Sequence, residues 1–196
     1  MKLLDCYMPV FILITDIEAN HKEYDCFQYT RNKFILAIEQ AVYRSENINV
    51  TDRERNDAFY AVTVLIDEKI LCSSLNFRDE WRDSLLQYKY FSSSVGGEKF
   101  FEKLDELDKN NSEVIGVFLC CLLLGFKGKY TEDDQSAIKN YILTLRDIYF
   151  NAETTWTEDQ IIGKNMPIKR TRRLTLWNAI LIILAFYLIT SFILIN

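Results

Sequence analysis

Apolar residues recur at three- and four-residue spacing along most of the chain, in long windows without Pro or Gly, and alternating strand-type patterns are scarce. The pattern predicts an all-α bundle. A first helix is expected over Leu3–Asn20, bent at Pro9, and a second over Tyr24–Glu46, with Phe27, Phe34, Ile38 and Val42 on one stripe. Thr51 with Glu54 has capping-box spacing and should open a third helix that runs to about Leu75, its stripe including Phe59, Val62, Ile66 and Ile70. Shorter helices are expected over Asp79–Phe91, Gly97–Asp108 and Ser112–Leu124. A last long one covers Glu132–Phe150, with Ile138, Ile142, Leu145 and Ile148 at helical spacing.

The pattern changes character near the C-terminus. Residues 152–173 read as a polar linker between a helical domain at 1–151 and an uncharged run at 174–195, LTLWNAILIILAFYLITSFILI. As a helix those 22 residues measure about 33 Å, the thickness of a bilayer core. Fourteen are Leu, Ile or Phe, and together they contribute about −4 to −8 kcal/mol on the insertion scale. A transmembrane helix is therefore expected.

Charge gives that helix a direction. The 196 residues hold 23 basic and 28 acidic side chains, a net −5, but Lys164, Lys169, Arg170, Arg172 and Arg173 form a collar just before the span. No acid follows them. Removing those five leaves 18 basic against 28 acidic residues in 1–163, a net −10. The positive-inside rule then places the N-terminal body in the cytoplasm, with the collar at the lipid surface. The N-terminal apolar run carries Asp5, Asp16 and Glu18 and no small-residue cleavage site, so it does not read as a signal peptide. An acidic body also excludes a generic nucleic-acid binder.

Candidate chemistry is sparse. His21 is the single histidine, so a histidine triad or multi-histidine metal site is not available from this chain alone. The five cysteines, Cys6, Cys26, Cys72, Cys120 and Cys121, lack CxxC spacing and read as reduced, mostly buried thiols. Gly96-Gly97 stands outside any phosphate-loop motif, and Gly125 and Gly128 read as a helix cap and turn. Neither a cofactor nor catalysis is expected. Asp67 and Glu68 interrupt the apolar run AVTVLI; adjacent helix positions point about 100° apart, which rules against a facing acid–base dyad. They are either structural acids bonded to helix ends or basic residues across the bundle, or acids exposed in a groove for a basic partner.

Four segments in order, LIDEKIL at 65–71, Trp81 with SLLQYKYF at 84–91, VGGEKFFEKLDEL at 95–107 and CLLLGFKGKY at 121–130, resemble the DotU family. That family includes TssL of type VI secretion systems and DotU (IcmH) of type IVB systems. The resemblance covers residues 55–150. It implies a hook-like, all-helical cytoplasmic domain of two small bundles with one C-terminal transmembrane helix in the bacterial inner membrane. It further implies a non-enzymatic component that pairs with a large IcmF/TssM-type membrane protein and docks the cytoplasmic baseplate. By the same resemblance Asp67 and Glu68 fall in a partner-binding cleft between the bundles. Trp81, Leu85, Leu86, Gly96, Gly97, Phe100, Phe101, Gly125, Phe126, Gly128 and Tyr130 fall on recurrent positions that shape the fold. In the helix before LGF, where family members carry an acidic residue and an aromatic, the sequence offers Glu113 and Phe118, and the mid-helix Gly116 departs from the pattern. A homodimer is also expected, partly through the membrane helix, where Asn178 is the polar candidate and no GxxxG motif occurs. The competing reading is a generic tail-anchored helical adaptor.

Overall fold

The computed structural model describes residues 1–131 and 134–158, with side chains as far as residue 151. Eight α-helices follow in chain order: α1 (Leu3–Ala19), α2 (Phe27–Ser45), α3 (Asp52–Leu71), α4 (Arg78–Arg82), α5 (Leu86–Phe91), α6 (Gly96–Asp105), α7 (Ser112–Leu123) and α8 (Gln135–Glu158). A 3₁₀ turn, His21–Tyr24, joins α1 to α2. The described residues contain no strand, as the helical periodicity predicts. The expected span at 174–195 and the five collar residues lie outside the described residues. Within the described residues no helix is long and apolar enough to cross a membrane.

Helix α3 is the axis of the body. It packs against α1, α2, α4, α5, α6 and α7, whereas α8 packs mainly on α7. A helix covered from several sides has no solvent face to keep polar, and residues Tyr60–Asp67 of α3 are buried without interruption. This corrects the single stripe read from the sequence: Val62, Ile66 and Ile70 are buried, but so are Tyr60, Ala61, Val64 and Leu65, while Phe59 is half-buried. One continuous core includes side chains from α1 through α8, and Met1–Asp159 form one compact unit.

Local signals explain most boundaries. Thr51 caps α3: its hydroxyl accepts from Glu54 N–H at 3.2 Å, and the Glu54 carboxylate accepts from Thr51 N–H at 2.8 Å. At the end of α7, Gly125 takes φ +87°, its N–H reaches Leu122 O at 2.9 Å and Phe126 N–H reaches Cys121 O at 3.1 Å. That is a Schellman closure, and it is the cap expected of LGFKG. Asn111 caps the start of α7, accepting from Glu113 N–H at 3.1 Å, and Glu113 in turn accepts from Leu3 N–H at 2.5 Å. Glu113 thus ties α7 to the first turn of α1. Gly116 has a packing reason as well, because a Cβ there would lie 2.6 Å from the Tyr149 ring of α8.

Three expectations need correction. The segment Asp79–Phe91 forms two helices, because Leu86 and Gln87 turn their amides away from the preceding turn and toward a side chain of α3. The last helix continues to Glu158, into the stretch read as linker, and only Leu145 of its predicted stripe is fully buried, since α8 covers the body from one side. Of the five free cysteines, Cys6 and Cys121 are buried, Cys120 is half-buried, and Cys26 and Cys72 are exposed.

Replacement of Thr51 by Ala should lower the unfolding free energy by about 1 kcal/mol, the usual worth of an N-cap. Urea unfolding followed by circular dichroism measures it; an unchanged midpoint contradicts the capping assignment.

Candidate functional site

Asp67 and Glu68 stand side by side on α3, and their 100° divergence sends them to two different segments. The Asp67 side chain faces the start of α5: Oδ1 accepts from Trp81 Nε1–H at 2.9 Å and Leu86 N–H at 3.0 Å, and Oδ2 accepts from Gln87 N–H at 2.8 Å. Asp67 is only 1% exposed. It acts as an N-cap supplied from another helix, which is why α4 and α5 are separate. Glu68, half-buried, faces the turn after α7 and accepts from Lys127 N–H at 2.7 Å and Gly128 N–H at 2.8 Å. Of the two roles open to these acids on sequence grounds, Asp67 and Glu68 both occupy the structural one: their oxygens hold five N–H donors of the same chain.

Burial pushes the Asp67 carboxyl above its ordinary range, opposed by its three hydrogen bonds and the charge of Arg31. Burial does the same to Glu68, opposed by the Lys127 and Gly128 amides and by the charges of Lys69 and Lys127. Arg31 completes the Asp67 neighbourhood, lying over the Trp81 ring at 5.5 Å and donating to Ser84 O.

Between the two anchored segments lies a groove of about 400 Å³. One wall is α3, with Val64, Asp67, Glu68, Leu71 and Cys72; Gln87, Ser94, Gly96 and Gly97 form another, and Phe126, Lys127, Gly128 and Tyr130 close it. Gly97 and Gly128 touch backbone to backbone: a Cβ on Gly97 would lie 2.7 Å from the Gly128 carbonyl carbon, and Gly128 has φ +56°. The structure thus brings Asp67, Glu68, Gly96, Gly97, Phe126, Gly128 and Tyr130 to one place. The other motif residues stay outside it. Trp81 and Leu86 are buried and Leu85 half-buried at the entry to α5. Phe100 and Phe101 are buried, Phe100 stacking at 4.8 Å on Phe118 and 4.2 Å on Phe126. Gly125 serves the α7 cap. Gln87, which the sequence offered only as a motif letter, is a groove residue whose buried Oε1 lacks a hydrogen-bond partner. No group of acids, cysteines and histidines among the described residues is placed to hold a metal ion.

The groove is lined in part by backbone that only glycine permits, and its acids are engaged internally. A protein-family model described as Type VI secretion system protein DotU matches residues 2–196. The chain belongs to the DotU family. The DotU-family body is similar to the cytoplasmic domain of TssL from Acinetobacter baumannii, with TM-score 0.68, 28% identity, and coverage of 78% of this chain and 99% of that one. It is also similar to SciP/TssL from enteroaggregative Escherichia coli 042, with TM-score 0.63, 19% identity, and coverage of 73% and 84%; at that identity the likeness speaks to the fold alone. No curated protein matches the chain.

Removing the Asp67 carboxylate strands three donors among buried residues. Asp67→Ala should cost about 3–5 kcal/mol in urea unfolding, against less than about 0.5 kcal/mol for Asp52→Ala on the exposed surface. Equal, small losses contradict the anchoring role. A pH series tests Glu68. Its folded carboxyl holds a proton to higher pH than the unfolded one, so the folded chain binds more protons in that window and stability falls as pH rises through the folded value. Relative to Glu68→Gln, the natural chain should lose stability as pH rises upward from the ordinary glutamate range of about 4.3; a relative gain reverses the sign and contradicts the burial argument.

Proposed function

We propose that this chain is a structural inner-membrane component of a type VI secretion system, whose helical body docks the cytoplasmic baseplate while an IcmF/TssM-type protein pairs with it in the membrane. The observation that carries the reading is the groove itself: seven of the family's motif positions, scattered over residues 67–130, line one groove. The uncharged run at 174–195 and the collar Lys164, Lys169, Arg170, Arg172 and Arg173 support a single-pass anchor with the body in the cytoplasm. Anionic headgroups would attract the collar by about 1 kcal/mol per basic residue and set the body's orientation at the membrane. Copies moored in one orientation, including a homodimer, template a larger assembly by multivalency rather than by one strong contact. Family membership disfavours a generic tail-anchored adaptor.

A charge reversal at Asp67 and Glu68 is a poor probe of docking, because it removes the acceptors that hold α5 and the 127–128 turn. Bulk at the rim is a better one. Ser94 and Cys72 line the groove and are exposed, and neither bonds to the anchored segments. Ser94→Trp with Cys72→Trp should abolish co-purification of baseplate subunits from native-host membranes, leaving the thermal midpoint and recovery of the IcmF/TssM-type partner unchanged. Recovery of neither partner with the natural chain contradicts the secretion reading; undiminished baseplate recovery with the double variant contradicts the groove assignment.

A further inference from the structure

The internal bonds of Asp67 and Glu68 leave a different set of polar groups in the groove. Helix α6 begins at Gly96 with Val95 at its N-cap, and no side chain caps it. The N–H groups of Gly96, Gly97 and Glu98 are the orphan donors of that first turn, and none has a hydrogen-bond partner among the described residues. Beside them sits a second, independent irregularity. Gln87 is 7% exposed, its Oε1 has no partner, and that oxygen lies 2.2 Å from the point a Cβ on Gly96 would occupy. The oxygen is therefore aimed at the start of α6, and only glycine at 96 leaves it room.

An unpaired buried acceptor next to unpaired donors is complemented by a ligand that presents one acceptor and one donor side by side. A carboxylate or phosphate supplies acceptors only, would leave Gln87 Oε1 facing lone pairs, and would share the groove with Glu68. A lysine or arginine supplies donors only and would point them at the α6 amides. A main-chain amide has one of each, but its trans geometry directs them to opposite sides. A primary carboxamide directs both from one carbon. We propose that the groove recognises the side-chain carboxamide of an Asn or Gln on its protein partner, with the amide oxygen accepting at the α6 N-terminus and the amide N–H donating to Gln87 Oε1. This rests on the groove being the docking face, and it makes recognition there neutral rather than a matching of basic residues to Asp67 and Glu68.

The test needs no secretion partner. A randomised peptide library is panned on the full chain in lipid nanodiscs, in its natural form and as Gln87→Met and Gln87→Glu. Met has similar volume and no acceptor; Glu keeps the acceptor and serves as rescue. Expected is enrichment of neutral peptides sharing an Asn or Gln, whose affinity falls at least about tenfold on Gln87→Met and stays within about threefold on Gln87→Glu. Enrichment of acidic or basic peptides, retention of binding by Gln87→Met, or no enrichment overturns the inference. Carboxamide peptides that bind as expected, with no baseplate subunits recovered from native-host membranes, would uphold the inference and remove the secretion role instead.

Discussion

Two adjacent carboxylates on the central helix organise this protein. Asp67 and Glu68 diverge by one helical step, and each gathers backbone N–H groups that no regular helix could satisfy. Asp67 takes the first amides of α5 and the indole of Trp81; Glu68 takes those of the turn after α7. Burying a carboxylate is costly, and here charge-assisted hydrogen bonds offset part of the cost on both sides of one helix. Removing either acceptor leaves the donors stranded, which is the larger penalty.

The groove is a consequence of that arrangement. With α5 and the 127–128 turn each held to α3, a groove remains between them, and Gly97 meets Gly128 in its lining. Aromatic packing of Phe100, Phe101, Phe118 and Phe126 sets the floor behind it. Elsewhere a cavity of similar size, about 390 Å³, runs between α8 and the α6–α7 region; it is lined by Ile115, Tyr141, Leu145 and others, and of the motif segments only the end of VGGEKFFEKLDEL reaches it, at Leu104, Asp105 and Leu107. Size alone would not choose between the two. The convergence of anchored backbone, paired glycines and unpaired polar groups does.

Helix type and most starts were legible in the sequence because their causes are local: Thr51 with Glu54 reads as a capping box, and Gly125 as a C-cap, from spacing alone. The break between α4 and α5 was not legible, because its cause is a side chain 19 and 20 residues away in the chain. The unbroken burial of Tyr60–Asp67 was not legible for a similar reason, since stripe counting assumes a helix with a wet side. At the site, residue types singled out the pair of acids, but not their direction. A carboxylate bonded inward and one presented outward share the same letters, and only the positions of the Leu86, Gln87, Lys127 and Gly128 amides distinguish them. Gln87 carried no signal beyond its place in a motif, because its significance is an unmade bond.

Native-state amide hydrogen exchange on the full chain reads the central claim directly. The N–H groups of Leu86, Gln87, Lys127 and Gly128 lie in the first turn of a helix or in a turn, where amides without a partner exchange fast. If Asp67 and Glu68 hold them, all four are protected, with Leu86 and Gln87 exchanging as slowly as the interior of α3. Exchange of these four at the rate of unprotected amides, in a protein whose α3 remains protected, would contradict the account.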